Sequence, residues 1–188
     1  MNSFYDMELV RVTSQLTLET FEQGWVVREK AVGSLRDSRF FTGLFAVLGV
    51  MFLIVKIPEL ARFHWENAIV GLLEFLMCMV CVVYQQIVLP QRVWSDADAL
   101  YRSNRVLQSR ETICLTRDGF TIENPYEQIT GYWSETACCA ESAQYFVFCG
   151  GLDRETIILP KNTMTDEQIA RVSEKMHEVF AGRFRTVK

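Results

Sequence analysis

Residues 68–90 read AIVGLLEFLMCMVCVVYQQIVLP and carry a single charge, Glu74. About 20 mostly apolar residues suffice to cross a hydrocarbon core of about 30 Å, so this stretch predicts a membrane-spanning helix. Upstream, residues 40–55 read FFTGLFAVLGVMFLIV with no charge, and Lys56, Ile57 and Pro58 follow. The upstream run reaches span length only if the Lys56 ammonium snorkels to the interface, and Pro58 is expected to end it. Both runs are apolar all round rather than along one stripe. Phe40, Phe41, Phe63, Trp65, Tyr84 and Trp94 lie around their ends, as an interfacial belt requires. The expectation is an antiparallel transmembrane helical hairpin over 40–90, with helices at about 40–57 and 68–90.

Arg28, Lys30, Arg36 and Arg39 precede the hairpin, and Arg92, Arg102, Arg105 and Arg110 follow it. The connection holds Arg62, with Lys56 at its border. This bias predicts two spans with N- and C-termini cytoplasmic. No charged, apolar and small-residue signal pattern precedes the first run, so no cleaved secretory peptide is expected. Glu74 is expensive in lipid and should face the partner helix, be protonated or pair. It is read either as a proton or ligand site or as an interhelical hydrogen bond, with His64 or Arg62 as partner. A lone carboxylate on two helices makes no transport path, which favours the second reading. Gly43, Gly49 and Gly71 permit close helix approach, and so a homo-oligomer, without requiring one.

The whole chain has 188 residues, 49% hydrophobic and 22% charged, with net charge −4. It is too apolar for disorder and too short for a multidomain enzyme. It is not basic enough to be a nucleic-acid binder by default. Residues 1–39 are read as a strand and an amphipathic helix. Val10 and Val12 alternate with Arg11 and Thr13 in a strand over Glu8 to Leu16, expected to edge or complete a sheet. Thr17 or Thr20 caps the helix, with Gln23 closing a capping box from Thr20. Residues 91–110 read as a helical connector. From residue 111 the period becomes two, with strands at Thr112–Arg117, Phe120–Glu123, Gln128–Ser134, Thr136–Ala140, Gln144–Cys149 and Glu155–Leu159. Asp118-Gly119 is a hairpin signal. Thr165 and Gln168 make a capping box for a last amphipathic helix through Phe180, with Gly182 at its stop. The fold class expected is an α+β membrane protein: the hairpin plus a small antiparallel cytosolic sheet, or partial barrel, capped by the C-terminal helix.

Two spans followed by such a domain resemble the YcxB-like membrane proteins. The matching residues are Asp118-Gly119, Trp133-Ser134-Glu135, the strand Tyr145–Phe148, Ile157-Ile158-Leu159-Pro160-Lys161 and the helix Asp166–Phe180, with Leu16-Thr17 through Phe21 at the opening. The resemblance implies a pleckstrin-homology-like domain over residues 111–188 and a place in the bacterial cytoplasmic membrane. It implies no shared reaction. Thr136 and the small residues Ala137-Cys138-Cys139-Ala140 depart from the family pattern.

Six cysteines are present. Cys78 and Cys81 form a CxxC inside the second span, where a thiol is a small apolar filler and a metal site would need thiolates in lipid. Cys138 and Cys139 are adjacent in one strand and point to opposite faces. With cytoplasmic placement these thiols are expected to stay reduced, a surface redox sensor at Cys138 or Cys139 being the minor alternative. The two histidines, His64 and His177, have no ligand spacing, and no phosphate-cradling glycine loop occurs. Neither cofactor, metal nor catalysis is expected. Residues 91–188 hold 12 Lys and Arg against 14 Asp and Glu. Arg117, Arg154 and Lys161 are candidate headgroup contacts without a dense basic run. Trp133, Glu135, Tyr145 and Lys161 are candidate interaction positions, Trp133 being equally a core residue.

The function expected is a non-enzymatic inner-membrane protein. Its hairpin would tether a protein-interaction module to the cytoplasmic face for regulation or assembly, with the lipid bilayer and an unidentified protein as partners. The alternative is an immunity or resistance protein against a membrane-active toxin, working through the outer-loop residues Phe63, His64 and Trp65 and through Glu74. The third is a lipid-headgroup sensor.

Overall fold

A computed structural model of the chain describes residues 8–33, 35, 38–61, 65–151 and 154–187. They form an α+β architecture with two sheets and a helical part. Two compact units arise, one from residues 1–33 with 94–188 and one from residues 34–93.

Among the described residues the first unit holds eight strands: the expected N-terminal one and seven from residue 110 on, one more than the six read there. One sheet runs in the order β1 (Glu8–Gln15), β2 (Arg110–Thr116), β3 (Gly119–Glu123), β4 (Gln128–Tyr132), all antiparallel. The N-terminal alternation therefore edges the sheet, with Val12 opposite Ile113. The second sheet is composed of β5 (Cys138–Glu141), β6 (Tyr145–Cys149), β7 (Thr156–Pro160) and β8 (Phe184–Thr186). Its order is β7-β6-β5-β8, and β8 pairs parallel to β5. Two four-stranded sheets thus stand where one small sheet or partial barrel was expected. The reason lies in β6 and β7, which are buried at every position. A sheet covered on both faces needs uniformly apolar strands rather than alternation.

One face of the second sheet joins β1–β3 and the last helix in a core of Val10, Val12, Ile113, Leu115, Phe120, Ile122, Phe146, Phe148 and Leu159. The other face, with Ala140, Val147 and Ile158, packs on helix α1 (Leu18–Ala31) through Phe21, Val27 and Ala31. Gly24 lets α1 lie this close, since a Cβ there would stand 2.5 Å from Ile158 Cγ2. The α1 cap is Thr17, whose hydroxyl accepts from the Thr20 N–H at 3.2 Å. Gln23 closes no box; its amide donates to Glu19 and its oxygen accepts from Tyr145 Oη at 2.6 Å. The β2–β3 loop is Arg117-Asp118, one residue earlier than the Asp-Gly signal. Gly119 already lies in β3, where a Cβ would meet the Gly131 carbonyl oxygen at 2.1 Å.

In the second unit, α2 (Ser38–Ala61) and α3 (Trp65–Val83) pack antiparallel: Gly49 lies beside Phe75 and Cys78, and Gln86 Nε2 donates to Thr42 Oγ1 at 2.9 Å. Pro58 does not end α2, which runs through it to Ala61. A helical φ suits the proline ring, and Pro58 lies in the last turn, where the lost hydrogen bond and the ring's clash with the preceding turn disturb the least helix. A π-turn, Tyr84–Val88, follows α3, and the Leu89 N–H reaches back to the Tyr84 carbonyl. Pro90 has no N–H to offer, and one wider turn before it makes room for its ring. Helix α4 (Leu89–Ser103) continues the run through Pro90. The stretch Ile69–Ser103 is long and apolar enough to cross a membrane, while Phe40–Val55 is a shorter apolar helix. Helix α5 (Asp166–Phe180) belongs to the first unit and carries the predicted Thr165–Gln168 capping box. At its end Ala181, not Gly182, takes the positive φ of 32°.

Candidate functional site

The structure brings together only two of the four candidate interaction residues. Trp133 is 3% exposed and lies in the core against Phe120, Phe148 and Phe180, so it offers no surface for a partner. Glu135 is exposed in the short 3-10 turn beyond β4. Tyr145 and Lys161 are brought together, lining one cavity of about 440 Å³ with Glu19, Thr20, Gln23 and Gln144. Neither is free. The Tyr145 hydroxyl donates to Gln23, and the Lys161 ammonium lies 2.7 Å from Glu141 Oε1 and donates to the Ser142 carbonyl at 2.8 Å. It also stands 4.5 Å above the Phe146 ring. Ser173 Oγ donates to the second Glu141 oxygen at 2.9 Å.

The proposed headgroup cations do not gather. Arg117 is exposed in the β2–β3 loop, while Arg154 and Lys161 flank opposite ends of β7. Arg154 Nη1 lies 2.7 Å from Glu111 Oε1, with the two side chains 10% and 5% exposed. Glu74 lies half-buried on α3, and its Oε2 is buried with no hydrogen-bond partner among the described residues. Phe63, His64 and Arg62 lie outside the described residues, as does the side chain of Trp65, which begins α3.

The Arg154–Glu111 pair marks the second notable site. A cavity of about 270 Å³ opens between α1 and the end of β7, lined by Phe21, Trp25, Leu107, Ile129, Arg154 and Thr156. Its walls are mostly apolar, and the buried Thr156 Oγ1 has no hydrogen-bond partner among the described residues. Arg28 sits 4.6 Å over the Trp25 ring and forms ion pairs with Glu29 and Glu155. The arrangement can receive a compact amphipathic group, its apolar body against Phe21 and Trp25 and its polar end at Thr156 and Arg154. Sequence reasoning missed Trp25, Arg154 and Thr156 as walls of one cavity, with Glu111 and Arg28 as ion-pair and ring partners of its lining residues. Glu111 had a signal: it is in phase with Ile113 and Leu115, so the strand period turns its carboxylate inward.

Burial raises the Glu111 carboxyl above its ordinary 4.5, and Arg154 opposes that rise. A carboxyl raised in the folded state contributes stability fully below its unfolded value and loses it as pH climbs through the folded value. Glu111→Gln removes this titration. The stability of the variant relative to the parent is therefore expected to improve as pH is raised from about 4 to about 7, read from urea midpoints. A difference flat in pH contradicts the burial argument.

No protein-family model matches the chain, and no curated protein matches it.

Proposed function

We propose that this chain is a membrane-anchored binding protein, in which a two-helix hairpin tethers a two-sheet interaction module at the cytoplasmic face of a bacterial inner membrane. The observation that carries the reading is the outward apolar surface of the second unit. Ile54, Met77 and Val80 are each more than 60% exposed, and only 6% of the most apolar stretch of Ile69–Ser103 is buried within the chain. A core helix of a soluble protein buries such a surface, whereas lipid covers it. Upstream Phe40–Val55 is antiparallel to α3 and supplies the return span. The resemblance to YcxB-like proteins supports the same division.

The role proposed for the sheets is protein interaction. Strand β4 lies at one end of its sheet order, and its Tyr132 is 50% exposed beside the exposed Glu135. An edge strand with an exposed aromatic suits recognition of a partner chain. Arg154 is engaged by Glu111 and Lys161 by Glu141, which leaves Arg117 alone of the three candidate headgroup cations exposed and favours a protein over a lipid partner. The test places a photo-crosslinking residue at Tyr132 or Glu135 of the full chain in its native membrane. The same protein partner captured from both positions supports the reading, and crosslinks to lipid alone contradict it.

A further inference from the structure

We infer that Cys138 and Cys149 form a reversible cross-strand disulfide, making the β5–β6 pair a site of oxidative modification. The two residues are direct antiparallel partners at one end of that pair. Facing residues in an antiparallel ladder have Cα atoms about 4.5–5.5 Å apart with side chains on the same face, inside the range a disulfide spans. Both belong to the core beneath α1, whereas Cys139, next in sequence, belongs to the core on the opposite face. The pairing therefore selects one partner for Cys138 and excludes its neighbour.

The surroundings favour a thiolate at Cys138. The facing Cys149 thiol and the positive charge of Arg185, Arg28 and Arg183 draw its pKa down to about 7 against burial. Its partner Cys149 is pushed up beside it, and burial pushes Cys139 up. The thiolate is the nucleophile in exchange chemistry. The end of the pair borders solvent, from which an oxidant approaches. Ala137 and Gly150, which flank it, are exposed, and Gly150 has a φ of 75°.

The oxidant is a low-molecular-weight disulfide, RSSR. The Cys138 thiolate attacks one sulfur, giving a mixed disulfide and releasing RS⁻. Cys149 then loses its proton and attacks the Cys138 sulfur, forming the intramolecular bond and releasing a second thiol. Two protein thiols are oxidised and one RSSR is reduced to two RSH. The chemistry is independent of the membrane assignment.

The test titrates the folded full chain in mild detergent with glutathione disulfide, blocks remaining thiols and maps the products by peptide mass spectrometry. The expected product is a Cys138–Cys149 bridge, two hydrogens lighter, that dithiothreitol reopens, with Cys139 still free. Cys149→Ser should halt at a glutathione adduct on Cys138. A persistent adduct on Cys138 of the parent chain, a bridge to Cys139, or both thiols unmodified while the chain stays folded would each overturn the inference.

Discussion

Replacing Trp133 by alanine is expected to destabilise the two-sheet unit by about 3–5 kcal/mol, the range for deleting a large buried aromatic. The ring stands 5.4 Å from Phe120 of β3, 5.1 Å from Phe148 of β6 and 5.9 Å from Phe180 of α5. Its indole N–H donates to the Thr116 carbonyl at 3.2 Å, closing the β2–β3 hairpin end. One side chain thus joins both sheets and the last helix. Trp133→Phe should recover a large part of the loss, because the ring contacts remain and only the hydrogen bond and some volume go. Urea unfolding of the full chain in detergent, followed by circular dichroism, reads both. A loss below about 1 kcal/mol for the alanine would show that the sheets are held together elsewhere.

The second large effect belongs to the apolar helices. Met77 and Val80 point away from α2 and are 66% and 63% exposed. An arginine at the centre of a span costs about 2.5–3.5 kcal/mol on insertion scales. Met77→Arg with Val80→Arg should therefore strip most of the chain from the membrane fraction. The same two changes on the surface of a soluble protein would be nearly neutral. Unchanged partition into alkali-washed membranes, or a parent chain that stays monodisperse without detergent, would count against the anchor.

The legible parts of this fold are those in which one local rule operates alone. The Thr165–Gln168 box needs only its own turn, and it is present as read. The Val10 and Val12 alternation needs only one buried face, and it forms β1. Where long-range contacts decide, the sequence is silent. Strand β8 is three residues long and exists because β5 offers it a parallel edge, which no periodicity announces. Gly119 looks like a turn residue, yet its lack of a side chain serves the close approach of Gly131. Thr17 and Thr20 are both good caps, and the structure chooses Thr17 while Tyr145 recruits Gln23.

The same division holds for the candidate sites. Tyr145 and Lys161 were legible as a pair only through family resemblance, and geometry places them on one cavity. Arg154 looked like a free cation because its partner, Glu111, is 43 residues away in sequence. Its apparent headgroup role was an unsatisfied charge in the sequence that the fold satisfies. Trp133 stood out by pattern, and its burial turns that prominence into packing.

By this reading α2 and α3 carry the chain across a bilayer and back. Epitopes at the N-terminus, at the C-terminus and after Phe63 test it directly, read by protease access in membrane vesicles of known orientation. The account predicts that both terminal epitopes are cut from the cytoplasmic side and the one after Phe63 only from the other. Cleavage of all three from the same side would contradict it.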